Sequence, residues 1–137
     1  MKKENATLLK VFIADDSALL RERLRTLISE LDAVELIGQA SDAQKTIKAI
    51  HQLKPDVLIL DIRMPGGNGS KVLESLKPDT VKPVVVVLTA FPYPQYRRKY
   101  LKAGADYFFD KATEFEQVIT VLEEMVKDSS YGLQTNS

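Results

Sequence analysis

Four charged residues in this sequence each come just after a short apolar segment that is typical of a buried β-strand. They are Asp15, Asp16, Asp61 and Lys111. A carboxylate at the end of such a strand is costly unless a partner compensates its charge, and neighbouring carboxylates resist ionising together. Mg²⁺ prefers carboxylate and carbonyl oxygens, and Mg²⁺ together with a lysine ammonium cancels the charge of three carboxylates. If the first and third strands are neighbours in the sheet, the set predicts an acidic magnesium site that Lys111 completes.

The elements that must bring these residues together are present in a regular order. Apolar segments alternate five times with segments of helical periodicity. The predicted strands are 8–14, 34–40, 57–60, 83–88 and 107–109, and the predicted helices are about 19–31, 41–53, 72–76, 94–103 and 113–127. On the first helix, Arg21, Glu22, Arg23 and Arg25 are expected on the solvent side. The alternation predicts the α/β class, in which a parallel sheet lies between helix layers and functional residues gather at the carboxyl ends of the strands.

Composition is that of one globular domain without a bulk preference for nucleic acid or lipid. The chain has 19 basic and 19 acidic residues, 45% hydrophobic residues and no cysteine. Disulfide and thiolate chemistry are therefore excluded, and no global attraction to polyanions is expected. No apolar run reaches the length of a signal peptide or a membrane span. We expect a single cytoplasmic domain over residues 1–128, with no membrane contact, and a flexible polar tail over 129–137.

The motifs at the strand ends resemble those of the receiver domain of bacterial two-component response regulators. They are the pair Asp15-Asp16, the run DIRMPGGNG that begins at Asp61, Thr89-Ala90, and Lys111 after Gly104-Ala105-Asp106. Each motif is weak alone, but their order and intervals together are specific, and the resemblance covers most of the chain. It implies a CheY-like, flavodoxin-like (βα)5 sandwich with a doubly wound parallel sheet of strand order 2-1-3-4-5.

The resemblance also implies a phosphoryl-transfer chemistry centred on Asp61. This carboxylate would accept a phosphoryl group from the phosphohistidine of a sensor histidine kinase or a phosphotransfer protein. Asp16, Asp61 and the backbone carbonyl of Arg63 would ligate Mg²⁺, with Asp15 acting through water. Such a receiver catalyses its own phosphorylation, so turnover of an external substrate is not expected.

The resemblance assigns further roles to residues around the phosphoryl group. Lys111 would bind one phosphoryl oxygen as a point charge and the Thr89 hydroxyl another. Movement of Thr89 would then be coupled to an inward position of Phe108, the switch aromatic. Arg63 and Phe91 stand where the family controls attack by water. Neither orients a water molecule well, so we predict a phosphorylated state that lasts many minutes.

The signal is expected to leave through a surface formed by the fourth helix, the fifth strand and the fifth helix. Its predicted members are Tyr96, Tyr100, Arg97, Arg98, Lys99 and Lys102 on one helix and Glu114, Glu116, Glu123 and Glu124 on the other. Aromatic and arginine side chains are common interface anchors. Opposite charges on the two helices predict either a contact with a downstream protein or a phosphorylation-driven dimer.

The preferred interpretation is a stand-alone receiver that does not itself bind nucleic acid. Three other functions are alternatives to it. The chain could be the receiver part of a DNA-binding transcriptional response regulator, or an intermediate in a phosphorelay. A remote alternative is a Mg²⁺-dependent aspartyl phosphatase of the haloacid dehalogenase type. That chemistry needs a general acid two residues after the nucleophile, and position 63 is an arginine, which does not donate a proton usefully.

Overall fold

Five strands and five helices alternate along residues 7–128, the part of the chain that the computed structural model describes. The strands are β1 (Leu9–Ala14), β2 (Val34–Ala40), β3 (Val57–Leu60), β4 (Val84–Thr89) and β5 (Tyr107–Asp110). The helices are α1 (Ala18–Ser29), α2 (Ala43–Leu53), α3 (Gly69–Leu76), α4 (Pro94–Lys102) and α5 (Gln117–Asp128). The predicted polar tail lies outside the described residues. No helix within residues 7–128 is long and apolar enough to cross a membrane.

The strands form one parallel sheet with the order β2-β1-β3-β4-β5. The predicted α/β class, doubly wound architecture and strand order are therefore confirmed. Because each parallel connection crosses the sheet through a helix, the carboxyl ends of all five strands lie at the same edge. This edge holds the loops that carry the charged motifs.

Two hydrophobic cores hold the helix layers on the sheet, because successive strand side chains point to opposite faces. One core joins Phe12, Leu58, Leu60, Val85, Val87 and Phe108 of the strands to α2, α3 and α4. The other joins Leu9, Val11, Ile13, Ile59, Val86 and Leu88 to α1 and α5. The central strand β3 is buried along its whole length. Its end is therefore a fixed point from which Asp61 projects.

Helix α5 begins at Gln117 rather than at Thr113, where the apolar periodicity placed it. The cause is a turn built on Asp110, whose carboxylate accepts hydrogen bonds from the backbone N–H of Ala112 at 2.9 Å and from the Thr113 hydroxyl at 3.1 Å. The Glu114 carboxylate in turn accepts the backbone N–H of Asp110 at 3.0 Å. These local bonds compete with helix formation. They also fix the backbone on both sides of Lys111.

Candidate functional site

The register of the strands brings the predicted charged residues to one end of the sheet. Asp15 and Asp61 directly follow two residues that are paired in β1 and β3. Thr89 is the last residue of β4, and its carbonyl accepts the backbone N–H of Lys111 at 2.8 Å. Four separate chain segments therefore converge at the carboxyl edge, as expected for a doubly wound fold.

The acidic site consists of Asp15, Asp16, Asp61 and Lys111. A carboxylate oxygen from each of the three aspartates lies within 4.8 Å of the other two. The Lys111 ammonium lies 2.9 Å from Asp15 Oδ2 and 3.2 Å from Asp61 Oδ2, so it bridges the two carboxylates. Asp15 and Asp61 are buried, whereas Asp16 is exposed. The site thus consists of two buried carboxylates bridged by the lysine and one carboxylate that is exposed to solvent.

The pKa values in the site reflect burial first and the neighbouring charges second. Burial raises the pKa of Asp61 above its ordinary value, and the nearby Asp15 charge raises it further. The Lys111 ammonium and the backbone N–H of Arg63, which lies 3.2 Å from Asp61 Oδ1, lower that pKa without offsetting the rise. Burial opposes the charged form of Lys111, yet the Asp15 and Asp61 carboxylates keep the pKa of its ammonium raised. A further cation is therefore favoured beside Asp61.

The donor set fits a Mg²⁺ ion. All three candidate side-chain ligands are carboxylates, the ligand type that hard divalent cations select. Asp15 already has a partner for each oxygen, because Oδ1 accepts the backbone N–H of Ser17 at 2.8 Å and Oδ2 accepts Lys111. Asp61 is bonded at both oxygens in the same way, by the backbone N–H of Arg63 and by Lys111. These bonds therefore do not distinguish Asp15 from Asp61, and the indirect role of Asp15 stays a prediction of the family resemblance.

Two bulky side chains stand together beside the acidic site. The Arg63 guanidinium lies 4.1 Å from the centre of the Phe91 ring, which is a cation–π distance. Both residues are tied to the site through their backbones, since the Arg63 N–H bonds Asp61 and the Phe91 N–H bonds the Thr89 hydroxyl at 2.9 Å. The sequence placed both residues near the site but did not predict that they stack on each other.

The aromatic residues expected to carry the signal differ in their exposure to solvent. Phe108 is buried and its neighbour Tyr107 is 36% exposed, as the alternation along β5 predicts. Tyr100, predicted on the contact surface, is instead 3% exposed, and its hydroxyl lies 3.1 Å from Ser70 Oγ. The prediction for Tyr100 is wrong, because i,i+4 spacing identifies a shared helix face without identifying what covers it.

Arg21 is the contributor to the site that the sequence did not reveal. It was expected on the solvent side of α1, but its guanidinium donates to the backbone carbonyl of Asp15 and, at 3.1 Å, to Gln39 Oε1. Its position four residues after the α1 N-cap, Ser17, allows a long side chain to reach back over the first turn. Arg23 is likewise engaged, with its guanidinium 4.2 Å from the centre of the Phe115 ring.

With this fold and this site, the chain belongs to the response regulator receiver domain family, whose model matches residues 11–123. It is similar to the transcriptional regulatory protein BtsR of Salmonella typhi, at 36% identity over 123 residues that cover 90% of this chain and 50% of that protein. The transcriptional regulatory protein YvfU of Bacillus subtilis is 33% identical, over 88% of this chain and 60% of that protein. The chain spans about half the length of the curated relatives it matches.

Solved structures show the same likeness. The receiver domain of the putative response regulator NarL from Mycobacterium tuberculosis has a TM-score of 0.80 and 26% identity, covering 88% of this chain and 98% of that one. A DNA-binding response regulator of the LuxR family from Staphylococcus aureus has a TM-score of 0.78 and 27% identity, covering 85% of this chain and 98% of that one. The protein is therefore a signalling module of a two-component system.

Proposed function

We propose that Asp61 is the phosphoacceptor of this receiver and that its phosphorylation controls a transcriptional output. The observation that carries the first part is the placement of Lys111 Nζ, 3.2 Å from the Asp61 carboxylate and 2.9 Å from Asp15. The phosphoryl oxygens of an acyl phosphate require positive charge, which the fixed Lys111 ammonium would supply together with a divalent cation held by the neighbouring carboxylates.

The phosphoryl donor in this proposal is the phosphohistidine of a sensor kinase or of a phosphotransfer protein. A carboxylate oxygen of Asp61 forms a bond to phosphorus while the bond from phosphorus to the imidazole nitrogen breaks, and the electron pair of that bond stays with the imidazole. Lys111 holds one phosphoryl oxygen and the Thr89 hydroxyl holds another. Asp16, Asp61 and the carbonyl of Arg63 would hold Mg²⁺, which when bound neutralises charge on the transferring group.

The phosphoacceptor proposal is tested by labelling with a small phosphodonor. With acetyl phosphate and Mg²⁺, intact-mass spectrometry is expected to show one added phosphoryl group on the wild type and none on Asp61→Asn, because an amide is not a nucleophile toward phosphorus here. Asp32→Asn, a change of the same type at an exposed position after α1, is the matched control and should label fully. Full labelling of Asp61→Asn would show that the acceptor is another residue.

A transcriptional output is supported by the relatives rather than by the site. BtsR and YvfU are both named as transcriptional regulatory proteins, and this chain corresponds to 50% and 60% of their lengths. These relatives favour the receiver part of a transcriptional response regulator over the stand-alone receiver that the sequence put first. Reading the genomic frame beyond Ser137 tests this directly. A DNA-binding region in frame supports it, and a stop codon at that point restores the stand-alone alternative.

The proposed route from Asp61 to a partner passes through α4, β5 and α5. Arg98, Lys99 and Lys102 are exposed on α4, and Glu124 is exposed on α5. Glu123, which was predicted on the same surface, lines a cavity with Asp32 and Val34 on the side of α1 and β2. Tyr93 at the start of α4 is 52% exposed and lies against Tyr96, with ring centres 5.8 Å apart. Without Tyr100, the surface still has two exposed or partly exposed tyrosines, basic residues on α4 and the acidic Glu124 on α5. Two copies could therefore pair opposite charges across a two-fold axis.

This surface predicts a change of mass on activation. Beryllofluoride, which mimics a phosphoryl group on a carboxylate, is expected to shift the sedimenting species from monomer to dimer. Arg98→Glu should abolish the shift because it places a like charge opposite Glu124. It leaves intact the Arg97 bond to the Phe108 carbonyl at 2.9 Å. Arg25→Glu, on exposed α1, should still dimerise. An unchanged mass for activated wild type would leave a monomer that signals to another partner.

A further inference from the structure

Asp15 has a bonding partner for its backbone N–H, its backbone carbonyl and its side-chain carboxylate. Its N–H donates to the carbonyl of Ala40 on β2 at 3.0 Å. Its carboxylate is shared between the backbone N–H of Ser17 and Lys111. Its carbonyl oxygen accepts the Arg21 guanidinium. With only 2% of the residue exposed, the carbonyl depends on that partner, since a buried acceptor without one is costly.

Arg21 is suited to hold this carbonyl in one position. Nη1 bonds Asp15 while Nε bonds Gln39 Oε1 of β2 at 3.1 Å, so the guanidinium is fixed between α1, β2 and the β1–α1 junction. The planar guanidinium offers donors in a rigid fork, which an ammonium does not. Its neighbour Arg25 differs, because among residues 7–128 its guanidinium pairs with Glu22 alone, on the exposed face of the same helix.

We propose that Arg21 is a positioning residue for Asp16 and thereby sets the affinity of the acidic site for Mg²⁺. The carbonyl that Arg21 holds belongs to the peptide group that joins Asp15 to Asp16. Because a peptide group is planar, fixing this oxygen also fixes the Cα of Asp16. Asp16 is the exposed carboxylate of the site, so this backbone plane is what aims it at the other two. The inference rests on the proposed function, in which Asp16 is a direct Mg²⁺ ligand.

Charge and geometry make opposite predictions for loss of Arg21. Arg21 bonds the Asp15 backbone carbonyl rather than a carboxylate, and removing its positive charge should, through Coulomb's law alone, strengthen the binding of a cation at the acidic site. Losing the fixed backbone plane should weaken it, because partners behind the ligands orient them and their loss commonly costs a metal site about 10-fold or more in affinity. The sign of the change in Mg²⁺ affinity therefore distinguishes a positioning residue from a nearby charge.

The experiment is a calorimetric Mg²⁺ titration of the full chain, with thermal unfolding recorded on the same samples. Arg21→Ala is expected to raise the Kd for Mg²⁺ about 10-fold. Arg21→Lys, which keeps the charge and loses the fork, is expected to raise it by a smaller factor. Arg25→Ala removes an arginine from the same helix, and Ile28→Val lowers stability at the far end of α1. Both controls should keep the wild-type Kd, which separates positioning from general loss of stability.

Unchanged or tighter Mg²⁺ binding by Arg21→Ala would overturn the inference. If that variant does not fold, Arg21→Lys decides: weaker binding supports positioning and wild-type affinity overturns it. Equal weakening in Ile28→Val would also overturn it, since instability alone would then explain the effect. Asp16→Asn tests the underlying function separately, because loss of a charged ligand should weaken binding whatever Arg21 does. Wild type without measurable Mg²⁺ binding would contradict the proposed function itself.

Discussion

Replacing Lys111 with methionine should lower the free energy of unfolding by about 3 kcal/mol at pH 7.5 in EDTA, the cost of breaking a buried ion pair from one side. Methionine fills the space of the lysine stem and is flexible enough to avoid a packing defect. What it lacks is the ammonium 2.9 Å from Asp15 and 3.2 Å from Asp61. Two buried carboxylates would then face each other without a cation between them.

The sign of the pH dependence follows from the pKa of Asp61, which is already raised by burial and by Asp15. Without Lys111 this pKa rises further, so the native variant binds a proton more tightly than the unfolded chain does. Stability from such a group is present below the unfolded carboxyl pKa of about 3.9 and is lost as pH rises through the native value. The deficit of Lys111→Met relative to wild type should therefore shrink as the pH is lowered from 7.5 to 5.

Urea unfolding at pH 7.5 and pH 5 measures the free energy of unfolding of the variant and the wild type. Equal m-values for the two proteins would show that their unfolded states are comparable. Lys45→Met, on the exposed face of α2, is the matched control and should cost little at either pH. In the double variant with Asp61→Asn, part of the lost stability should return, because the residues form one network. A deficit that is identical at both pH values would mean that lost packing, rather than unpaired charge, explains the change.

The parts of this protein that sequence could predict are those fixed by short-range pattern. Short, continuously apolar runs place Asp15 and Asp61 at strand ends. The family resemblance then supplies the strand order that makes β1 and β3 neighbours, so the core of the acidic site is predictable. The start of α5 is not predictable in this way. The apolar spacing is compatible with a helix from Thr113, but the polar turn on Asp110 forms there instead. Local hydrogen bonds of this kind leave no periodic signal.

The other departures depend on contacts between residues that are far apart in the chain. Tyr100 is buried in the core that α4 shares with α2 and α3, and its hydroxyl bonds Ser70, 30 residues away on another helix. The role of Arg21 depends on Gln39, 18 residues away on β2. The Arg63–Phe91 stack joins two loops that follow different strands. A helix periodicity shows which residues share a face, but a long polar side chain can leave that face for a partner that only the assembled fold provides.

The Arg63–Phe91 pair leads to the second large expected effect, on the lifetime of the phosphorylated state. With Asp61 phosphorylated and no phosphatase present, wild type should keep its phosphoryl group for many minutes or longer. The two residues are tied by their backbones to Asp61 and Thr89, and their side chains stack 4.1 Å apart. A guanidinium paired with a phenyl ring offers no general base, so an attacking water molecule lacks the oriented acceptor that would accelerate hydrolysis.

Two variants test this pair from either side. Arg63→Asn replaces the stacked cation with an amide that can orient water, and Phe91→Ala removes the ring on which the cation rests. Each should shorten the lifetime about 10-fold, well within the 100-fold or more that a positioned proton acceptor can supply. Because both act on one contact, the double variant should lose less than the product of the two effects. Arg98→Asn, the same change on exposed α4, should leave the lifetime unchanged.

The measurement is the decay of radiolabelled protein after rapid removal of the phosphodonor, with Mg²⁺ retained. Thermal unfolding of each variant is recorded alongside it, so that a change in lifetime is not confused with a change in stability. Complete loss of label from wild type within seconds would refute the expected protection. Additive effects of Arg63→Asn and Phe91→Ala would show that the two side chains act separately on the phosphoryl group. A coupled effect would instead identify their stack as the structure that excludes attacking water from the acyl phosphate.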